Sequence, residues 1–436
     1  MKQAVKPARV KPLFIFLSPF CGKGIFYFVF LFIRIKIGRI MKRSFVLFII
    51  SMTVSVCACA QKKIISQAQT YIKSGSNLDK AEADMRNLLK DSANASNMKI
   101  WTTLTDAIRM QYEQGNEKMY LKQKSDTAAL FLTAHRMFLA YEAMDSVDAK
   151  PDKKGRAELK FRKRNAAYLN RLRPNLYNGG VYFISKKDYK SAFSMLDAFI
   201  DCGSQPLFSG YKYDARSKSV LSASCLATFC GVKLHDNAKA LKHSSLALLY
   251  EPGRESTLQH LAGIYADMGD TEKYSQTLCT GVAEYPRSEY FFTRLVDYYN
   301  GANMPDSALA VADRALSAEP KNTLYLYAKS NILLNMGRYA DCVAVCDSVI
   351  AVNDSLADVY YNAGVACVNL ALVAQKEGSG KAEMKKFYRQ ALPYMERYRE
   401  LAPDQKDKWS AALYNIYLNL NMGKKFEEIT KVIQNG

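Results

Sequence analysis

Residue types that carry catalysis or bind cofactors occur in this sequence, but their spacing matches no reactive site. The one string that resembles a phosphate-binding loop is Gly378-Ser379-Gly380-Lys381. Such a loop requires Gly where Gln375 stands, Ser or Thr where Ala382 stands, and a preceding strand. The sequence meets none of these requirements, so we interpret the string as the flexible tip of an insertion.

The histidines also lack the spacing of metal ligands. There are four, His135, His235, His243 and His260. No serine, cysteine or aspartate lies in a recognisable nucleophile motif. The sequence therefore predicts no catalytic residue, no metal site and no cofactor.

Seven cysteines follow Ala60, an odd number that cannot pair completely within one chain. They are Cys202, Cys225, Cys230, Cys279, Cys342, Cys346 and Cys367. A free cysteine packs like a small apolar side chain. We therefore expect mainly buried thiols, and the sequence leaves open whether any of them pair.

A constant interval organises the central part of the chain. Pro252, Pro286, Pro320 and Asp354 follow one another at steps of 34 residues. Between them, large and small apolar residues recur at helical spacing, as in Leu258-x2-Leu261-Ala262-x2-Tyr265 and Ala308-x3-Ala312-x2-Ala315. This pattern resembles the tetratricopeptide repeat, whose unit is two antiparallel helices with a proline at the end.

The resemblance implies an all-α fold, a right-handed α-α superhelix of stacked helix pairs. A chain of 436 residues can form such a solenoid because each unit packs only on its neighbours. The in-phase array would cover residues 173–403, with insertions near 207–220 and 371–385. Residues 61–172 would form divergent helices of the same kind, and residues 404–436 a pair of capping helices. The first helices would begin near Leu221, Glu255, Glu289, Thr323 and Ala357.

The resemblance also implies a binding groove, because in the tetratricopeptide family the first helix of each unit faces the ligand. Carried over position by position, the main groove residues are Tyr290, Asp297, Tyr327, Asn331, Asn335, Tyr361 and Asn369, joined by Tyr177, Val181, Cys225, Phe229, Thr293 and Val365. Tyrosine offers a flat apolar ring, and asparagine offers both a donor and an acceptor. The subgroup that binds a terminal carboxylate has lysine where Thr293, Tyr327 and Tyr361 stand, so that activity is not implied.

The function expected from this groove is a non-enzymatic scaffold that binds a protein partner or a peptide. The alternative is a module that binds a glycan or an anionic polymer, since aromatic rings with amide donors also suit sugars. Nucleic acid is not an expected ligand, because residues 41–60 have the pattern of a signal peptide and an exported protein seldom meets nucleic acid.

The net charge of +20 is concentrated in two segments. Residues 1–60 contain ten Lys or Arg and no acid, and residues 150–173 contain ten more against Asp152 and Glu158. The second segment predicts a basic patch of Lys153, Lys154, Arg162, Lys163, Arg164 and Arg171. It is either a docking site for an anionic surface or a solvated helix face whose long side chains cover apolar neighbours.

Residues 41–60 have the features of a secretory signal peptide. Lys42-Arg43 precede an apolar run that ends in small residues. Ala58 and Ala60 favour cleavage after Ala60, whereas lipidation of Cys59 is the alternative. Residues 1–40 are interpreted as sequence upstream of the native start at Met41 or as an extra apolar segment. The expected location is the periplasm, either free or on a membrane through a lipid anchor.

Six triplets of Asp, Ser or Thr, and an apolar residue resemble the O-glycosylation motif of exported proteins in Bacteroidetes. They begin at Asp91, Asp126, Asp145, Asp306, Asp347 and Asp354. Ser92 and Ser355 are the candidate modified residues. Several triplets also open a helix, where Asp or Ser caps free backbone N–H groups, and the two roles do not exclude each other. The chain thus resembles exported tetratricopeptide proteins of Bacteroidetes.

Overall fold

A computed structural model describes residues 60–151 and 155–434, and within these ranges every regular element is a helix. The predicted signal peptide up to Cys59 and the basic residues Lys153 and Lys154 lie outside the described residues. The described chain forms two compact units. The first comprises residues 60–125, 146–151 and 155–158, and the second comprises residues 126–145 and 159–434.

The first unit contains three helices: α1 (60–74), α2 (Leu78–Leu89) and α3 (Met98–Tyr120). Helices α2 and α3 pack against each other. Met85 of α2 and Ile100 and Leu104 of α3 are almost completely buried. Helix α3 is capped by Asn97, whose side chain accepts a hydrogen bond from the Lys99 N–H. The three helices agree with the all-α fold predicted for the chain.

The second unit begins with α4 (Thr127–Asp148), whose last three residues belong to the first unit, and α5 (Arg162–Leu172). Seven helix pairs then follow: α6 (Pro174–Ser185) with α7 (Tyr189–Asp201), α8 (Lys218–Lys233) with the broken helix α9 (Asn237–Lys242) and α10 (Ser244–Ala247), α11 (Arg254–Asp267) with α12 (Thr271–Glu284), α13 (Glu289–Gly301) with α14 (Pro305–Ala318), α15 (Thr323–Asn335) with α16 (Tyr339–Ile350), α17 (Ala357–Lys376) with α18 (Lys381–Leu401), and α19 (Lys406–Asn419) with α20 (Gly423–Gln434).

These helix pairs stack in chain order, because the second helix of one pair also packs on the first helix of the next. Three predicted first-helix starts, Glu289, Thr323 and Ala357, coincide with the first residues of α13, α15 and α17. One buried apolar cluster runs from Leu258 to Ala366 without interruption between pairs. The predicted all-α fold of stacked helix pairs is therefore confirmed for the described residues.

Each of the seven pairs turns through one residue with a positive φ. These residues are Lys187 (60°), His235 (52°), Gly269 (68°), Asn303 (55°), Gly337 (73°), Gly378 (77°) and Asn421 (57°). Four of them, from His235 to Gly337, are spaced by the repeat period. Glycine adopts this conformation without steric cost, whereas other residues are strained by about 1–2 kcal/mol. The period is thus a property of the backbone as well as of the side-chain pattern.

The two insertions take different forms. Residues 202–217, between α7 and α8, contain a short 3-10 helix, Pro206–Phe208. Phe208 of this helix is buried and stacks on Phe138 of α4, with ring centroids 6.0 Å apart. The insertion at 371–385, in contrast, lengthens α17 and α18 to 20 and 21 residues. The string Gly378-Ser379-Gly380-Lys381 lies at the turn between these two helices.

Helix α17 is the one helix in the described ranges that is long and apolar enough to cross a membrane, with a mean hydropathy of 1.2 over its most apolar segment. Half of that segment is buried inside the protein. The helix packs against α15, α16, α18 and α19. Helices in the core of a protein meet the same criteria, so its composition is explained by this packing.

Five of the seven cysteines are buried, namely Cys202, Cys230, Cys342, Cys346 and Cys367, as the sequence predicts. Cys225 is half-buried and Cys279 is exposed. All seven are free thiols. Burial raises the pKa of the Cys202, Cys230 and Cys367 thiols to about 12. These thiols therefore stay protonated at neutral pH, which makes them poor nucleophiles and poor metal ligands.

Candidate binding surface on the first helices

The first helices of successive pairs are joined to one another by side-chain contacts. The Tyr177 hydroxyl of α6 lies 3.0 Å from the Ser222 hydroxyl of α8. The Cys225 sulfur of α8 lies 3.6 Å from the Thr257 hydroxyl of α11. These contacts cross from pair to pair, so they set the spacing of residues that belong to different repeats.

The same linkage continues towards the C-terminus. The Tyr290 hydroxyl of α13 donates to the Gln259 carbonyl oxygen of α11 at 3.0 Å. The rings of Phe292 in α13 and Tyr325 in α15 have centroids 4.4 Å apart. We call the predicted groove residues on these helices the first-helix face: Tyr177, Val181, Cys225, Phe229, Tyr290, Thr293, Asp297, Tyr327, Asn331, Asn335, Tyr361, Val365 and Asn369.

Every residue of the first-helix face reaches the protein surface. Val181, Asp297 and Asn335 are exposed, and the other ten are half-buried. A half-buried side chain is held by its neighbours and still presents part of its surface to a ligand. Ligand binding by these residues remains a prediction.

Tyr290 is less accessible to a ligand than the sequence suggests. The Arg294 guanidinium lies 3.7 Å from the centroid of its ring, and burial raises the pKa of its hydroxyl. Arg294 itself is exposed. It follows Tyr290 by four positions on α13, so the two side chains lie on the same side of the helix. A ligand approaching here would meet the arginine before the tyrosine.

Asn331 is positioned by a residue that the sequence did not single out. Asn362 of α17 is 3% exposed. Its amide nitrogen donates to the Asn331 Oδ1 at 2.7 Å and to the Ser330 hydroxyl at 3.0 Å. Asn331 accepts this bond through its side-chain oxygen, so its amide nitrogen is the group that can donate to a ligand. The signal available in the sequence was an asparagine among the apolar positions of this helix.

Tyr361 and Asn369 also make contacts that restrict them. The Tyr361 ring lies 5.1 Å from the Tyr398 ring, and the Lys408 ammonium lies 5.8 Å from the Tyr361 centroid. Asn369 donates to the Val365 carbonyl oxygen of its own helix at 3.0 Å. The centre of the first-helix face is therefore formed by α15 and α17, which pack against each other and carry Tyr327, Asn331 and Tyr361.

The predicted basic patch is divided by the structure. Arg162 forms a two-pronged ion pair with Asp145, at 2.8 and 2.7 Å, and Asp145 is 4% exposed. Arg162 therefore has a structural role and is half-buried, which separates it from the exposed residues of the predicted patch. Lys163, Arg164 and Arg171 are exposed on α5, as predicted. The sequence could not show this division because Asp145 belongs to another helix.

A polar cluster on the second helices was missed by the sequence analysis. Asp197 and Asp201 lie one turn apart on α7, and His243 lies at the break between α9 and α10. Their ligand atoms lie within 4.8 Å of one another, close enough for a metal ion. The available signal was the Asp197-x3-Asp201 spacing, which places two carboxylates on one side of a helix.

This cluster already contains a cation. The Lys242 ammonium lies 2.5 Å from the Asp197 carboxylate and 2.9 Å from that of Asp201. His243 Nε2 lies 2.7 Å from the same Asp197 oxygen. Although burial raises it, the hydrogen bonds from His243 and Lys242 hold the pKa of Asp197 below its usual value. The arrangement therefore acts as an ion-pair network that joins α7 to the broken helix.

The two candidate glycosylation residues are both exposed. Asp91 accepts a hydrogen bond from the Ala93 N–H at 2.9 Å, as a cap should. At the other site the cap is Asn353, which accepts from the Ser355 N–H at 3.0 Å and from the Ser355 hydroxyl at 2.7 Å. Modification of Ser92 and Ser355 remains a prediction.

Two surface cavities lie away from the first-helix face. One, of about 490 Å³, is lined by charged residues of α18 and α20, including Glu396, Arg399 and Lys425. The other, of about 500 Å³, lies at the α14–α15 connection, residues Glu319 to Asn322. Neither cavity includes a predicted groove residue.

No family model and no curated protein matches this chain. Several solved structures of repeat proteins are similar to it. YrrB, described as a TPR protein with an unusual peptide-binding site, is 17% identical over 45% of this chain and 97% of its own, with a TM-score of 0.34. The C-terminal part of a TPR repeat-containing protein from Cytophaga hutchinsonii is 12% identical over 59% of this chain and 93% of its own, with a TM-score of 0.39. MamA from Desulfovibrio magneticus is 14% identical over 42% of this chain and 96% of its own, with a TM-score of 0.33. Because these TM-scores lie below 0.5, we base no conclusion on them, and the fold assignment rests on the helix pairs of this chain.

Proposed function

We propose that this protein is a non-enzymatic scaffold of the tetratricopeptide type whose first-helix face binds a segment of a partner protein. The observation that carries this proposal is the set of Tyr327, Asn331 and Tyr361 on neighbouring first helices. Tyrosine supplies rigid contact area at a low entropic cost, and asparagine pairs with peptide groups. A surface that is already ordered also lowers the cost of binding.

A glycan is the alternative ligand, and two contacts make it less suitable. A sugar stacks on an open aromatic face, but the Tyr290 ring is covered by Arg294 at 3.7 Å. The Tyr361 ring is in contact with Tyr398 and Lys408. A polypeptide does not require an open ring face, since it can contact ring edges and the neighbouring amides.

We further propose that the partner lies in the cell envelope. Support for this part comes from residues 41–60, whose pattern is that of an exported protein. Mass spectrometry of the N-terminus of the native protein tests it. A mature chain starting after Ala60, or at a lipid-modified Cys59, supports export. A chain that retains residues 41–59 unmodified contradicts it.

The binding proposal is tested with the full chain as bait for an envelope extract, followed by calorimetry with the protein it retains. We expect the double variant Tyr327→Ala/Asn331→Ala to raise the Kd about tenfold or more, because central aromatic residues dominate interface energies. The matched control is Arg314→Ala/Ser348→Ala, at exposed positions on the second helices α14 and α16.

The control double variant should change the Kd less than about twofold. Equal losses in both double variants would show that the first-helix face has no special role. If a glycan binds the wild-type chain but not the Tyr327→Ala/Asn331→Ala variant, the ligand of the first-helix face is a sugar and not a protein.

A further inference from the structure

Two segments of the second unit expose a concentration of basic side chains. Lys163, Arg164 and Arg171 lie on α5, and Lys212, Arg216 and Lys218 lie at the start of α8 and in the insertion before it. All six are exposed, and we call them the basic surface. Residues 160–173 and 209–218 contain one acid, Asp214. This surface differs from the predicted patch, because it leaves out Lys153, Lys154 and Arg162 and adds Lys212 and Arg216 of the insertion and Lys218 of α8.

The insertion is held against α5 by specific contacts. The Tyr213 hydroxyl donates to the Asn170 Oδ1 of α5 at 2.7 Å. The Arg173 guanidinium lies between two rings, 4.0 Å from the Phe199 centroid and 4.1 Å from that of Tyr213. The two basic segments border first helices, because α6 starts at Pro174 and α8 at Lys218.

We propose that the basic surface binds an acidic segment of the partner protein, one rich in Asp and Glu. This inference rests on the proposed function, because it places the acidic segment in the same polypeptide that occupies the first-helix face. Arginine forms paired hydrogen bonds with carboxylates, and lysine adds charge that speeds the encounter. Along the chain, the first-helix face begins at Tyr177 and Val181 of α6, directly after the α5 part of the basic surface.

The aromatic residues of this region argue against nucleic acid. Single strands bind by stacking their bases on open rings. Here two of the rings already contact an arginine, since Arg171 lies 5.7 Å from the Tyr168 centroid and Arg173 packs on Tyr213. What remains outward is cationic, and it matches carboxylates better than bases.

A membrane is a poorer partner for a different reason. Binding to a lipid surface combines basic residues with apolar side chains that insert between the lipids. Among the described residues from 155 to 220, the one exposed large apolar side chain is Val181. The two basic segments therefore offer charge to the headgroups, and residues 160–173 and 209–218 expose no large apolar side chain that could insert.

The test measures binding of the full chain to a fluorescent peptide of alternating Glu and Ser. Two triple variants are used: Lys163→Glu/Arg164→Glu/Arg171→Glu on α5, and Lys212→Glu/Arg216→Glu/Lys218→Glu at the insertion. Each should raise the Kd about tenfold or more. Added salt should weaken wild-type binding, because exposed charges are screened. Circular dichroism confirms that each variant is folded.

The matched control is Lys376→Glu/Lys381→Glu/Lys386→Glu, which reverses three exposed lysines at the α17–α18 turn. It changes the net charge equally and should leave the Kd within about twofold. An equal loss in this control would mean that net charge alone drives binding and would overturn the proposal. So would tighter wild-type binding to single-stranded DNA or to phosphatidylglycerol vesicles than to the peptide.

The two proposals fail separately. If the α5 and insertion variants bind the Glu-Ser peptide like wild type while Tyr327→Ala/Asn331→Ala still loses the captured partner, the acidic-segment inference is wrong and the scaffold function stands. If both triple variants lose the peptide but no first-helix variant affects the partner, the basic surface is a separate site and the scaffold function is wrong.

Discussion

Single residues of the second unit show that packing decides whether a charged side chain is paired or exposed. Arg162 and Arg171 belong to the same basic segment, yet Arg162 is paired with the buried Asp145 and Arg171 is exposed. A buried carboxylate needs such a partner, because leaving it unpaired costs several kcal/mol. The sequence predicts the charge of this segment correctly, but it cannot predict which arginine a carboxylate 17 residues away will take.

The pKa of a single residue, Glu142, leads to a testable prediction. Burial, together with the Asp201 carboxylate, raises its pKa to about 7 from an ordinary value of 4.5. Because the folded pKa is the higher one, the protonated carboxyl favours the folded state. This stabilisation is complete below pH 4.5 and is lost as the pH rises through 7.

The variant Glu142→Gln removes this dependence, since an amide carries no charge. At pH 8 we expect its free energy of unfolding to exceed that of wild type by about 2–3 kcal/mol, and at pH 4 the two should agree within about 1 kcal/mol. Urea unfolding across this range provides the measurement. A difference that does not change with pH would contradict the raised pKa.

Helices and their turns follow the sequence more closely than single charges do. The starts of α13, α15 and α17 are predictable because the 3.6-residue apolar pattern and its interruptions are local signals. The turns are harder to predict, because His235 and Asn303 adopt a positive φ that glycine would normally supply. The lengths of α17 and α18 are equally hard to predict, since the continuation of α17 to Lys376 and the start of α18 at Lys381 depend on the two helices packing together.

Close packing between helices can be tested with one pair of glycines. A Cβ added at Gly231 of α8 would lie 2.3 Å from the Ala240 backbone nitrogen, and the backbone has little freedom to move away. At Gly263 of α11 an added Cβ would meet nothing within 4 Å. The same substitution should therefore have opposite effects at the two positions.

We expect Gly231→Ala to lower the free energy of unfolding by about 2–3 kcal/mol through overpacking. Gly263→Ala should raise it by about 1 kcal/mol, because alanine favours the helical state over glycine. Denaturant unfolding monitored by circular dichroism measures both. If Gly231→Ala were as stable as Gly263→Ala, the close approach of α8 and α9 would be wrong.

At the scale of the whole molecule, the second unit is an array in which each helix pair depends on its neighbours. Such an array brings equivalent positions of successive pairs onto one face, and this is what turns scattered tyrosines and asparagines into a surface. The sequence predicts which positions these are through the repeat. It does not predict the roles of Asn362 and Arg294. Asn362 bonds to Asn331 of the neighbouring helix pair, and Arg294 covers the ring of Tyr290, a predicted ligand residue. Those contacts decide which atoms a partner would meet.

The central claim is that a partner protein binds the first-helix face, and photo-crosslinking tests it most directly. A photoreactive amino acid is placed at Asn335 of α15 or, as a control, at Ser348 of α16, both of which are exposed. With the captured partner present, we predict a covalent product from position 335 and none from position 348. Crosslinking from position 348 alone, or equally from both positions, would contradict the claim.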